Sequence, residues 1–369
     1  MTGIPAVDPD TLPDHAWLVG LLSLPKLGPR RLEALLEIAD SAQAVWTRLC
    51  AGDRTLRVPQ TATEIIEKWG ESARGFSIPA RWEAMRRLGI EVHSSDDPGY
   101  PARLLTDPHP PRVVFSRGQL PAGPTVGIVG TRTCTSYGQR CAFELGRSLA
   151  EAGISVVSGL ALGIDAAAHQ GCLAGEAGGK PIGVVGSGLD VVYPKRNSAL
   201  WERVATSGVL FSETPPGIQP AAWRFPARNR IIAGLSDALV VVESHAKGGS
   251  LLTVDEAILR DIPIGAVPGP ITSASATGSN RLLVEGATPV LEVDDVFAMI
   301  GHIAPQQVDS KDADEVSSVV LDALGWSPLL FEQLCLRLVM PPGKIAAELE
   351  RLDLLGLVAQ SGGWIERVR

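Results

Sequence analysis

Between residues 125 and 293 the chain repeats one unit: a short apolar run, a turn of glycine or small polar residues, then a stretch whose apolar positions recur at helical spacing. The apolar runs are residues 125–129, 154–157, 181–185, 209–211, 238–242, 264–267 and 287–291. They are nearly continuous rather than alternating, which predicts strands buried on both faces. The fold class expected is α/β: an extended Rossmann-like, mostly parallel sheet with helices on either side. Ligands of such sheets lie beyond the carboxyl ends of the strands, and the glycine turns all fall there, so they should converge on one rim.

The flanking segments have a different period. Trp17, Leu18, Leu21 and Leu22, then Leu32, Leu35, Leu36 and Ile38, recur as on helices, around the turn Leu24-Pro25-Lys26-Leu27-Gly28-Pro29-Arg30-Arg31. That turn suits either plain helical packing or a helix-hairpin-helix whose amides meet a phosphate. Pro98, Pro101, Pro108, Pro110 and Pro111 mark an extended, turn-rich transition. Residues 305–315 read as a polar linker. Beyond it, residues 319–324, 329–336 and 345–355 look helical, and residues 357–365 look like a hairpin around Ser361-Gly362-Gly363. Three helices closed by a hairpin outline a winged helix. Its third helix carries Glu348, Glu350 and Asp353 against Lys344 and Arg351, a face better suited to packing or to a protein than to duplex DNA. The expected domains are therefore residues 1–90, helical; 91–304, Rossmann-like; 305–315, linker; and 316–369, winged-helix-like.

Composition narrows the partners. The chain of 369 residues is 45% hydrophobic and 20% charged with a formal charge of −8, so any polyanion must be met by a local patch. The N-terminal residues do not look like a signal peptide, and no apolar run is long enough to span a bilayer. Cys50, Cys134, Cys141, Cys172 and Cys335 are scattered without a C-x-x-C pair, which fits a reducing, cytoplasmic compartment and no metal site.

The local patch is Trp223-Arg224-Phe225-Pro226-Ala227-Arg228-Asn229-Arg230, within a stretch from Glu213 to Asp237 that no other carboxylate interrupts. Guanidiniums hold phosphates in a rigid donor fork and aromatic faces take unstacked bases, a pairing suited to single-stranded nucleic acid. A helix opened by Arg228-Asn229-Arg230 would set its cations against the positive end of the dipole, which makes sense with an anion between them; pairing with distant acids is the plainer alternative. Arg132, after Gly127-Ile128-Val129-Gly130-Thr131, and Ser136, opening the next helix, form a second expected anion site. The spacing is not G-x-G-x-x-G and Ser158-Gly159 stands where a ribose-binding acid would, so no nicotinamide cofactor is expected. Lys195, Arg196 and Lys247 follow strand ends. Asp165 and His169 could form an acid–base pair, but helix capping and local packing explain them without an activated nucleophile.

These motifs, in order, resemble the DNA processing protein A family, DprA or Smf: Gly127-Ile128-Val129-Gly130-Thr131-Arg132, Ser158-Gly159-Leu160-Ala161 with Gly163-Ile164-Asp165 and Ala168-His169, Tyr193-Pro194, and Phe225-Pro226 with Arg228-Asn229-Arg230-Ile231-Ile232. The resemblance implies a non-catalytic homodimer that binds single-stranded DNA, protects it and loads RecA recombinase onto it during natural transformation. It implies DNA contacts at Arg132, Phe225, Arg228, Arg230 and Lys195. The residues themselves add Ser136, Gly159, Trp223, Asn229 and Lys247. No cofactor and no membrane partner are expected, while the winged helix is open to duplex DNA or another protein. Two departures are Leu162, where relatives show a polar or basic residue, and Gly248-Gly249-Ser250 in place of Ser-Gly-Ser. An alternative is a nucleotide-binding enzyme of the lonely-guy phosphoribohydrolase type, whose catalytic loop is faintly echoed by residues 248–256 with Glu256 as its acid.

Overall fold

The structure, a computed structural model, describes residues 12–175, 178–302, 315–325, 328–338, 340–354, 356–361 and 363–368. The N-terminal periodicity becomes α1 (Asp14–Leu22), α2 (Pro29–Leu36), α3 (Ala42–Cys50), α4 (Thr63–Arg74) and α5 (Ile78–Arg87). Local chemistry sets their starts: the Ser41 and Ser77 hydroxyls accept the amides of Ala44 and Ala80, each satisfying a donor the helix itself leaves free. Between α1 and α2, Lys26 takes a positive φ of 60°, and Arg31 donates to the Lys26 carbonyl at 2.8 Å.

The chain then runs β1 (Ile90–Ser94), α6 (Ala102–Leu105), β2 (Val113–Gly118), β3 (Thr125–Val129), α7 (Ser136–Glu151), β4 (Ser155–Ser158), α8 (Ile164–Cys172) and β5 (Pro181–Val184). It continues through α9 (Ser198–Ser207), β6 (Val209–Ser212), α10 (Arg224–Gly234), β7 (Ala238–Val241), α11 (Leu251–Ile258), β8 (Ile264–Ala266), α12 (Thr277–Val284), β9 (Thr288–Pro289) and α13 (Val293–Met299). These strands form one sheet in the order β1-β2-β6-β5-β4-β3-β7-β8-β9. From β6 to β9 every neighbour is parallel, whereas β1–β2 and β2–β6 are antiparallel. The mostly parallel, Rossmann-like sheet is as the apolar runs predict. The antiparallel edge was not legible: β1 and β2 flank the proline-rich transition, whose prolines occupy the connection between them.

Two cores lie on the sheet's two faces. One contains Leu104, Val157, Ile182, Phe211, Ile231, Leu239 and Val254. The other joins Leu32, Leu49, Trp69 and Met85 of the N-terminal helices to Phe115, Leu160, Trp201, Val204 and Leu210. The helical segment therefore shares its core with the sheet, and residues 12–302 lie in one compact unit; a boundary at residue 90 cuts through that core. The reason is that the short N-terminal helices bury too little surface against each other to close a core alone.

The second unit contains α14 (Glu315–Leu324), β10 (Leu329–Leu330), α15 (Phe331–Arg337), α16 (Pro342–Leu354), β11 (Val358–Ser361) and β12 (Trp364–Arg367). Its strands pair antiparallel in the order β10-β12-β11. Val320, Leu324, Leu334, Ile345, Leu349, Leu352 and Ile365 fill its core. The expected helices and hairpin are present. The expected linker, apart from Glu315 at the start of α14, lies outside the described residues. Among the described residues, no helix is long and apolar enough to cross a membrane.

Candidate nucleic-acid interface

The ends of β3, β4, β5, β6 and β7 open onto one groove of about 720 Å³, lined by residues that include Thr131, Arg132, Ala161, Asp165, Tyr193, Phe225, Arg228, Asn229, His245 and Gly248. Beside it lies a smaller pocket of about 60 Å³, sharing Arg132, Ala161, Tyr193, Phe225 and Arg228 and reaching Gly159, Gly186 and Ser187. The turns converge as the alternating pattern requires. Nucleotide-sized ligands need sites of roughly 300–1,000 Å³, so the groove is large enough for them and the side pocket is not.

Arg228 is the buried cation of the site. Its Nη2 donates to the Gly159 carbonyl at 3.2 Å, while Nε and Nη1 have no partner. Burial pulls its pKa down to about 10, with Asp165 opposing the shift and Arg132 adding to it; it stays charged at neutral pH. Arg228 sits one turn inside α10, because the helix opens at Arg224 rather than at Arg228. Pro226 fits in that first turn, where its missing amide has no intrahelical bond to make. The dipole argument for Arg228-Asn229-Arg230 at a helix start therefore fails, and burial instead leaves Arg228 in need of an anion.

The loop after β4 is built to receive that guanidinium. Asp165, in the first turn of α8, does not cap its own helix. Its Oδ2 accepts the upstream amides of Gly159 and Ala161 at 3.1 and 3.4 Å, and Asn197 Nδ2 holds the Leu160 and Ala161 carbonyls at 2.9 and 3.1 Å. Burial raises the Asp165 pKa, with Arg228 and those amides pulling it back. Gly163 has φ 79°, and a Cβ there would fall 2.4 Å from the Thr131 carbonyl oxygen, so glycine is required where the β4 loop meets the β3 loop.

His169 is fully buried and neither ring nitrogen has a hydrogen-bond partner. Burial pushes its pKa down to about 4; Arg228 lowers it further and the Ser158 backbone opposes both. The folded-state value is below the ordinary 6.5, so the unfolded chain binds the extra proton and stability falls as pH drops from about 6.5 toward 4, by roughly 3 kcal/mol in all. Asp165, with a raised pKa, contributes in the opposite sense. Urea titrations at pH 7 and pH 4.5 should therefore show a smaller acid loss for His169→Leu than for the parent chain, and equal losses would refute a destabilising role for the buried imidazole.

The anion expected at the start of α7 is supplied by the protein. Glu243, just past β7 and 2% exposed, accepts the Thr135 amide at 2.9 Å and its hydroxyl at 2.6 Å. Its backbone carbonyl accepts the Thr131 amide at 2.8 Å. The helix N-terminus is thus occupied, and Ser136, exposed at the first position of α7, does not line the groove. The sequence signal was available: Glu243 is the first acid after an uninterrupted apolar strand.

The aromatic part differs from a lone Phe225 platform. Phe225 stacks on Tyr193 with ring centres 5.5 Å apart and planes 29° from parallel, and the Arg132 guanidinium carbon stands 5.2 Å from the Phe225 ring centre. Tyr193 is the more open ring, 41% exposed. Trp223, 66% exposed, has Arg224 packed 4.6 Å from its ring centre and lies outside the groove lining. Lys195 and Lys247 are exposed near the rim without lining it.

Arg230 faces elsewhere. It forms an ion pair with Glu213 and donates to the His109 carbonyl at 2.6 Å, so the plainer sequence alternative, pairing with an acid, describes its contacts. Glu213 lies on the connection between β6 and α10, close in space though distant in any helical pattern.

Residues 91–301 match the family model described as DNA recombination-mediator protein A, and residues 304–363 match the DprA winged helix domain. The chain belongs to this family. It is 34% identical over 313 residues to protein Smf of Synechocystis, covering 73% of this chain and 77% of the relative. It is 37% identical over 223 residues to DNA processing protein DprA of Bacillus subtilis, covering 60% and 74%. Among solved structures, DprA of Streptococcus pneumoniae superposes with TM-score 0.62 at 30% identity, covering 77% of this chain and 97% of that one. A Helicobacter pylori structure described for the single-stranded DNA binding mode of its DNA processing protein A gives TM-score 0.52 at 26% identity, covering 58% and 96%. The family resemblance carried by the β3, β4 and α10 motifs is thereby shown, and with it the Rossmann-like and winged-helix architecture.

Proposed function

We propose that this chain binds single-stranded DNA along the strand-end groove, protects it and delivers it to RecA recombinase, acting as a homodimer without catalysis. The observation that carries the reading is a strand-end groove of about 720 Å³ whose lining brings Arg132 and Arg228 together with Tyr193 and Phe225. Arg132 supplies a second cation at the rim, and Tyr193, backed by Phe225, offers the open face on which a base stacks. Asn229 and the Gly159 loop complete the lining, and Lys195 and Lys247 add positive potential beside it. Trp223 extends the aromatic surface past the groove. Arg230 acts structurally through Glu213, and Ser136 stands exposed at a helix start that Thr135 and Glu243 already fill.

The phosphoribohydrolase alternative loses support from the position of its acid. Glu256 is paired with Arg260 at 2.6 Å, Arg260 also binds Asp107 at 2.7 Å, and Glu256 is not among the groove residues. A cytoplasmic site of action follows from the proposed substrate and recombinase.

The test is a titration of oligodeoxythymidine, duplex DNA and heparin at several salt concentrations. Single strands should bind tightest. Arg132→Ala should reduce the log–log salt slope by about 0.7 for each phosphate left without its cation, whereas Tyr193→Ala should weaken binding by about 1–3 kcal/mol with the slope unchanged. Equal affinity for heparin and single strands would remove the function proposed. RecA filament nucleation on a coated strand, followed with and without the protein, tests delivery: no acceleration would confine the role to binding.

A further inference from the structure

The groove and the small pocket beside it offer different chemistry. Residues that line both, Arg132, Tyr193 and Phe225 among them, mark where the two adjoin, whereas Leu162, Val185, Gly186 and Pro194 line the small pocket alone. Beyond that mouth the polar groups are largely taken. The Ser187 hydroxyl donates to the Val191 carbonyl at 2.8 Å. Asp165 holds the Gly159 and Ala161 amides, Arg228 Nη2 the Gly159 carbonyl and Asn197 the Ala161 carbonyl. The Val185 amide donates to the Phe211 carbonyl, and the Val185 carbonyl accepts from the Ser212 hydroxyl. The Pro194 carbonyl accepts the Asn197 amide, and Arg228 Nε and Nη1 are buried out of reach. A water needs several polar partners to be held firmly, so solvent in this recess is poorly held and an apolar group that displaces it gains affinity. At about 60 Å³ the space admits a group of methyl size and not a ring.

The methyl group that an ordinary DNA strand carries is the C5 methyl of thymine. We infer that the pocket takes this methyl from a thymine whose ring stacks on Tyr193, so that the protein favours thymine-bearing strands over strands carrying uracil. The inference rests on the strand-binding function proposed above. Stacking tolerates every base, and the groove cations meet a backbone common to every sequence. The apolar recess is the part of the site that tells one base from another.

The experiment titrates the full chain with an oligodeoxythymidine and an oligodeoxyuridine of equal length at one ionic strength, two strands that differ only in the methyl. The thymidine strand should bind about three- to fivefold tighter, the scale of one buried methyl group. Gly186→Ala sets a methyl of the protein's own at the pocket wall, 3.4 Å from Arg224 and Phe225 atoms, an ordinary contact, and should bring the two affinities close to equal. Leu162→Ser provides the second variant: on a half-buried loop residue it opens the recess to water, and it should also shrink the preference. The ratio of the two affinities is what each variant reports. Equal affinity of the parent chain for both strands overturns the inference and leaves strand binding intact; no affinity for either strand overturns both. A thymidine preference that persists in full in both variants would assign the methyl's effect to stacking on Tyr193 and likewise overturn it.

Discussion

A single methyl group at position 159 is expected to lower single-strand affinity by about 10- to 100-fold while leaving the protein folded. A Cβ on Gly159 would lie 1.7 Å from Arg228 Nη1, 2.2 Å from Nη2 and 2.4 Å from the guanidinium carbon. The backbone at Gly159 does not have the positive φ that would strain an alanine. What must move is therefore the far end of a long side chain, which can swing out toward the groove at little cost to the core. The affinity loss follows from the loss of about one charge-assisted hydrogen bond, worth about 1.5–3 kcal/mol. Gly159→Ala should also relieve part of the cost of holding a cation out of water, so its melting temperature should stay within a few degrees of the parent's. Parent-like affinity would show that Arg228 does not meet the strand. Loss of cooperative unfolding would show instead that the guanidinium is a structural prop.

Trp201→Ala should destabilise residues 12–302 by about 3–5 kcal/mol, a large share of the 5–15 kcal/mol that separates a domain from its unfolded state. Trp201, on α9, is fully buried and belongs to the core that joins the N-terminal helices to β2 and β6. Its indole nitrogen has no hydrogen-bond partner, so the loss arises from packing, and Trp201→Phe should recover much of it. Because the core is shared, α1 to α5 and the sheet should lose hydrogen-exchange protection together in the alanine variant. Retention of protection in α4 while β4 exchanges freely would separate the two as independent domains, with the boundary near residue 90 that the change of periodicity first suggests.

Much of the architecture was legible because it is written in short-range patterns. Apolar runs such as residues 125–129 and 238–242 admit burial on both faces and hence a parallel sheet, and glycine turns after them mark the strand ends where a ligand sits. The winged helix was visible through its amphipathic helices and the hairpin around Ser361-Gly362-Gly363. The antiparallel edge was not, because β1 and β2 are separated by prolines that read as irregular chain. The register that joins Val92 to Phe115 is a pairing between strands, which neither strand reveals by itself.

For the site, the sequence alone determined which chemistry was available: guanidiniums, aromatic rings and glycine turns gathered after strand ends in an acidic chain. Only the tertiary structure decided how each group is used. Arg228 and Arg230 stand two residues apart on one helix, yet one is buried against the Gly159 loop with two donors unpaired and the other is spent on Glu213. The cause is the helical repeat, which turns neighbouring positions to different surroundings, combined with a partner carboxylate brought from another loop. In the same way Glu243, distant in sequence from α7, fills the helix end that seemed free for a phosphate. Periodicity and residue type are local properties that a chain displays directly, whereas the pairing of buried charges depends on which segments meet, and that is settled only when the sheet closes.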